Sequence, residues 1–217
     1  MSNVDNFIDE VTEEVRRDNL LRMMRRYGWI AILLAVMIVV GAATNEFLKA
    51  QERARAEALG DAMIAAAQSS EDPAERAAAF AAIEAEGDAK AVTTLQAAAA
   101  HQRAEQAGEA AALLEGVATG GTAGLIYQQL AQFKALMSAT DLSPEERRAG
   151  FEALTTPGAP FRLLAEEQIA LIEAETGETD AAIARLTAIL EDNDTSAGLR
   201  RRASQLIVAL GGELQAT

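Results

Sequence analysis

Between Arg26 and Glu46 the chain runs for nineteen residues, YGWIAILLAVMIVVGAATN, with no charged side chain. A helix of that length spans about 28 Å at ~1.5 Å per residue, which matches the ~30 Å hydrocarbon core of a bilayer. In such a core the backbone must satisfy its own hydrogen bonds, so the run has to be helical. An uninterrupted run that is apolar on every face does not suit the core of a small soluble domain, and it predicts a transmembrane helix over residues 27–45. Tyr27 and Trp29 stand at one end, where an aromatic belt belongs, and Arg22, Arg25 and Arg26 lie just outside it. These five residues are the expected membrane-interface anchors.

A cleaved signal peptide is the rival reading, because Gly41-Ala42-Ala43 offers small residues at cleavage spacing. The 26 residues before the apolar run carry six acidic side chains, however, whereas a signal peptide starts short and basic. The expectation is a retained anchor. Arg16, Arg17, Arg22, Arg25 and Arg26 precede the span, and Lys49, Arg53 and Arg55 follow it. This bias puts residues 1–26 in the cytoplasm and the rest of the chain in a bacterial periplasm.

The remainder of the chain is acidic and rich in alanine. Of the net charge of −14, residues 46–217 carry −13, and alanine occurs 49 times. An acidic surface of this kind lacks the basic footprint that nucleic-acid binding needs. With no Cys and one His, thiol chemistry, Cys-based zinc sites and two-histidine sites are excluded. Abundant Ala, four Pro and few aromatics favour helix over sheet, and no window alternates with period two.

The helical reading resolves into segments. Residues 1–26 form an amphipathic stretch with Phe7, Ile8, Val11 and Val15 at helical spacing, and residues 46–72 continue from the span as a helical stalk. Asp72 and Pro73 form an N-cap and a first helical residue. Helices are expected at roughly 73–86, 88–107, 109–118, 123–140, 143–154, 160–176, 179–193 and 196–210. Ser143-Pro144-Glu145-Glu146 reads as a capping box, Gly87, Gly108 and Gly177 as C-terminal caps, and Pro157-Gly158-Ala159-Pro160 as a rigid linker. Short helices joined by short turns pack as antiparallel hairpins. Two turns, Gln106-Ala107-Gly108-Glu109 and Glu175-Thr176-Gly177-Glu178, are each followed by an Ala-containing amphipathic helix. Their glycines lie close to two ~34-residue tetratricopeptide periods apart. The expected architecture is all-α: one N-terminal transmembrane helix, then a tetratricopeptide-like solenoid over residues 73–217.

Three pieces then resemble a known family. They are EVTEEVRRDNLLRMMRRYGWIAI at Glu10–Ile32, PGAPFRLLAEEQIALIEAETGETDAAIARLTAILED at Pro157–Asp192, and SAGLRRRASQLIVAL at Ser196–Leu210. The family comprises bacterial inner-membrane proteins with one N-terminal span and a periplasmic tetratricopeptide-like domain, and it includes the ancillary subunit of the SecYEG translocon. The resemblance implies a binding role: association with the translocon and hand-over of emerging polypeptides to periplasmic chaperones. A different inner-membrane assembly, such as a respiratory complex, could recruit an accessory subunit of the same shape.

No residue pattern points to catalysis or to a bound cofactor or metal. His101 sits in an Ala-rich helix with no nucleophile elbow beside it. Gly120-Gly121-Thr122-Ala123-Gly124 lacks the ending of a phosphate loop. Glu145-Glu146, Glu166-Glu167 and Glu191-Asp192-Asp194 lack the spacing of a calcium loop and read as solvated helix faces. The expected working surface is a concave face of the solenoid. The large side chains that break the alanine pattern, Tyr127, Phe133, Phe151 and Phe161, are the candidate partner groove, against a competing reading as core. Arg200, Arg201 and Arg202 are a candidate basic contact for an acidic partner or a lipid headgroup, or a counterweight to the C-terminal end of the preceding helix. Protease added to spheroplasts is expected to degrade the C-terminal domain; its protection would overturn the orientation.

Overall fold

The computed structural model describes residues 3–213, and within them the side chains of residues 3–22 and of Ala31 lie outside the description. Arg22 and the expected amphipathic set Phe7, Ile8, Val11 and Val15 therefore lie outside the described side chains. The described residues form nine helices and no strand. The chain divides into two compact units, Met1–Ala58 and Leu59–Thr217.

The first unit belongs to α1, which runs as one helix over Asn3–Gln68. One stretch of it is long and apolar enough to cross a membrane, and none of its most apolar window is buried. Ile32, Leu34, Met37, Ile38 and Val39 all face outward. In water such exposure would be costly; in hydrocarbon it is the stable arrangement. The Thr44 hydroxyl donates to the Gly41 carbonyl at 3.2 Å, so this polar group is satisfied within its own helix.

The second unit holds the end of α1 and eight helices: α2 (Pro73–Ala81), α3 (Gly87–Arg103), α4 (Ala107–Thr119), α5 (Leu125–Ser138), α6 (Pro144–Glu152), α7 (Arg162–Glu175), α8 (Thr179–Glu191) and α9 (Ala197–Ala209). Each overlaps the segment expected from the sequence; most end sooner, but α3 starts one residue earlier and α4 extends beyond its expected span at both ends. The Asp72 cap accepts the Ala74 N–H at 2.9 Å. The capping box is complete: the Glu146 N–H donates to Ser143 Oγ (3.2 Å) and the Ser143 N–H to Glu146 Oε2 (2.9 Å). The Ser143 backbone N–H, and after it the Ser143 hydroxyl, hold the Glu146 carboxyl below its ordinary range.

The C-terminal caps are only partly as expected. Gly177 has φ +86°, and the Gly177 and Glu178 N–H groups donate to the Ala174 and Glu173 carbonyls, a Schellman turn closing α7. The equivalent turn closing α3 is built on Glu105 at φ +59°, with Glu105 and Gln106 donating to Gln102 and His101. Gly108 lies inside α4, and Gly87 opens α3 instead of capping α2. The left-handed position thus falls three residues before the glycine the sequence offers, because α3 has already ended at Arg103. Gly211 supplies a third Schellman turn, after α9.

Packing follows chain order. α2 rests on α3, α3 on α4, α4 on α5, α6 on α7, α7 on α8 and α8 on α9, with lighter contact of α5 on α3 and α6. Three apolar clusters serve the interior of these neighbours: Phe80 with Ala66 and Ala97; Leu95, Leu114 and Val117 with Ala131; and Leu186, Ile189, Leu199 and Ile207. Burial of each large side chain contributes about 1.5–3 kcal/mol. The α5–α6 junction is bridged by Phe133 and Leu136 packing on Phe151, Leu154, Ile169 and Ile172. A Cβ at Gly150 would overlap a Leu136 methyl, so a larger residue there would require the Leu136 side chain to move where α6 closes on α5.

Charge laces α6 to α9. The Glu173 carboxylate, 1% exposed, receives a two-pronged contact from Arg185 on α8 (2.7–3.2 Å) and lies 3.3 Å from Arg148 on α6. Arg185 also pairs with Glu166. Hydrogen bonds to Glu173 and then Glu166 outweigh partial burial and hold the Arg185 guanidinium still further above its ordinary value. On α9, Arg202 grips the buried Glu167 through two bonds of 2.6 and 2.7 Å. Removing one partner of a buried pair costs about 3–5 kcal/mol. With Arg148 still beside Glu173, Arg185→Ala is expected to cost about 3 kcal/mol in denaturant unfolding. Arg147→Ala, whose partner Glu175 is exposed, should cost under about 1 kcal/mol. Equal effects would overturn the ranking.

Candidate functional site

The expected anchors that can be described lie together on α1. The Arg25 and Arg26 side chains, Tyr27 and Trp29 include no fully buried group, and the Arg26 guanidinium stands 5.8 Å from the centre of the Tyr27 ring. This is a cation–π contact of the kind that keeps an aromatic ring and a cation at one level of an interface.

The four candidate groove residues are not one set. Phe133 stacks on Phe161 (6.0 Å between ring centres) and meets Phe151 edge-on (5.4 Å). Phe151 is 2% exposed and belongs to the core beneath the other two, while Tyr127 packs half-buried against the α3–α4–α5 cluster. The rings that do reach the surface line an open groove of about 580 Å³. Leu130, Phe133, Lys134 and Met137 come from α5, Phe161 and Leu164 from the start of α7, Gln102 from the end of α3, Glu105 from the α3–α4 turn and Ala107 from the start of α4. Ile126, Leu130, Phe133 and Met137 follow one another at helical spacing, a stripe legible in the sequence once α5 is placed. A 2.7 Å bond from Gln102 Nε2 to Ser138 Oγ ties the α3 end to the α5 end beside it.

On the other flank of α5 lies a wider trough of about 780 Å³. Its walls are small: Ala107, Gly108, Ala111 and Ala118 of α4 against Ala135, Ala139 and Leu136, with Leu142 of the α5–α6 turn at one end. Glu115 and Asp141 stand at its rim, and no cation lines it. Sequence reasoning that looked for large side chains could not find it, because the space exists where large side chains are missing.

A third cavity of about 520 Å³, between α6, α7 and α8, gathers Arg148, Arg162 and Arg185 over Leu163, Ala184 and Ile189. Its cations are already engaged. Arg162 pairs with Asp192 at 2.8 Å, which holds the Asp192 carboxyl below its ordinary range. Arg148 is shared among Glu178, Glu152 and Glu173, and the first two raise its guanidinium.

The arginine triplet does not act as one basic patch. Arg202 is engaged with Glu167, and Arg200 donates to the Leu190 carbonyl in the last turn of α8. Only Arg201 makes neither an ion pair nor a side-chain hydrogen bond among the described residues. Arg200 thus serves the end of the preceding helix, where a cation is favoured. His101 Nδ1 lies 2.7 Å from Gln106 Oε1, a contact that fastens the α3 Schellman turn. Among the described residues no three of His, Asp and Glu converge as a metal-ligand set.

No family model matches the chain, and no curated protein or solved structure matches it either. The geometry offers recessed apolar surface on α5 and, between α6, α7 and α8, charges that are already engaged. Phe151→Ala is expected to cost about 3–5 kcal/mol of stability, as for a buried ring, and Phe161→Ala clearly less. Chemical denaturation of the two variants checks this; equal losses would place Phe161 in the core.

Proposed function

We propose that this chain is a non-enzymatic, membrane-anchored protein-interaction module. It sits in a bacterial inner membrane through one span, with a cytoplasmic N-terminus and a periplasmic domain of stacked, tetratricopeptide-like hairpins. Its role is that of an ancillary translocon subunit that assists hand-over of polypeptides to periplasmic chaperones. The observation that carries the interaction reading is the alanine-walled trough between α4, α5 and the α5–α6 turn. Its small side chains let a partner backbone approach closely, and its rim is acidic without a lining cation. The Schellman turns at the ends of α3 and α7, each leading into the next helix of a hairpin, support the repeat reading. The arginine-rich flank before the span and the aromatic pair at its mouth support the topology. Gentle solubilisation and affinity purification of the full chain are expected to recover translocon subunits. Recovery of respiratory-complex subunits without them would move the protein to that assembly instead.

A further inference from the structure

The groove on the opposite flank of α5 carries an unmatched pair of charges. Glu105 and Lys134 both line it, yet neither makes an ion pair among the described residues, with each other or with anything else. Glu105 also holds φ +59°, a conformation that suits glycine far better. The same groove is lined by Leu130, Phe133 and Met137 of α5 and by Phe161 and Leu164 of α7, with Met137 56% exposed. Met is the side chain best able to enter an irregular apolar recess.

One positive and one negative group in the same apolar lining let the surface be complementary to itself. Across a two-fold axis, residue i of one copy meets residue j of the other and the reverse. Glu105 of each chain then meets Lys134 of its mate, and the Met137 side chains approach each other over the phenylalanines. We propose that this groove is a self-association face, occupied by the same groove of a second copy of this chain. The proposal goes beyond the function proposed above. It uses the other flank of α5 and requires of that reading only that the chains share a membrane, which raises their effective concentration so that a small patch suffices.

The chain contains no Cys, so one introduced thiol reports without background. Met137→Cys in the full chain, expressed in its membrane and mildly oxidised, is expected to give a disulfide-linked dimer. Val208→Cys, at an exposed site outside the groove, should give at least several-fold less. Adding Glu105→Lys or Lys134→Glu singly should cut the dimer by about threefold or more, since each reversal strikes both symmetry-related pairs. Combining the two swaps the charges on both copies and should restore the parent yield. The milder Glu105→Gln and Lys134→Gln, with circular dichroism melts matching the parent, guard against loss of fold. Absence of the dimer, equal yield at position 208, or a double swap no better than the singles would each overturn the proposal. The last of these would mean that the charges face a different protein. Translocon recovery without this dimer would leave the proposed function standing and remove only the self-association.

Discussion

The second half of the helical domain is organised around one buried carboxylate. Glu173 on α7 has almost no solvent, so its charge must be met by protein. Arg185 on α8 meets it with two prongs, and Arg148 on α6 stands at 3.3 Å. Such an arrangement is a weak source of net stability, because desolvation offsets most of the attraction. Its value is in register: α6, α7 and α8 can slide past one another only by stranding a charge. Glu167 and Arg202 repeat the device between α7 and α9. In an alanine-rich interior, where small side chains interlock poorly, directional ion pairs supply the specificity that large apolar residues would otherwise provide.

Much of the fold was legible in the sequence where a local signal had a local cause. Asp72-Pro73 and Ser143-Pro144-Glu145-Glu146 start helices because their own side chains satisfy backbone donors. The nineteen uncharged residues are helical because nothing else suits that composition in lipid. Glu105 shows where such reading stops. A glycine three residues away looked like the cap, but the helix end is set by where α3 finishes packing, and a glutamate was left in the left-handed position. Arg200 to Arg202 show the same limit. Adjacent on the sequence, they point to three different environments, since successive residues on a helix diverge by about 100°. Only the tertiary partners, Leu190 and Glu167, reveal what two of them do.

The candidate surfaces were legible by half. Phe133 and Phe161 stood out as large residues in an alanine background, and they do share an open groove. Phe151 stood out equally and is core. Size marks a residue that matters for packing without saying which side of the surface it lies on. The trough on the far flank was invisible because its signature is the absence of bulk on α4 and α5, and alanine is everywhere in this chain. α5 is the element both concavities share. Among α2 to α9 it is also the helix that packs most lightly on its successor, with Phe133 and Leu136 bridging the joint.

Packing chiefly between chain neighbours has a kinetic corollary. Because each helix rests chiefly on its immediate neighbour, no contact in the domain waits for the two ends of the chain to meet, and little loop-closure entropy has to be overcome at any step. A chain delivered vectorially, N-terminus first, can fold each hairpin onto the one already formed as soon as it emerges. The apolar faces of α7, α8 and α9 are then covered in turn, and unfinished surface is confined to the growing end.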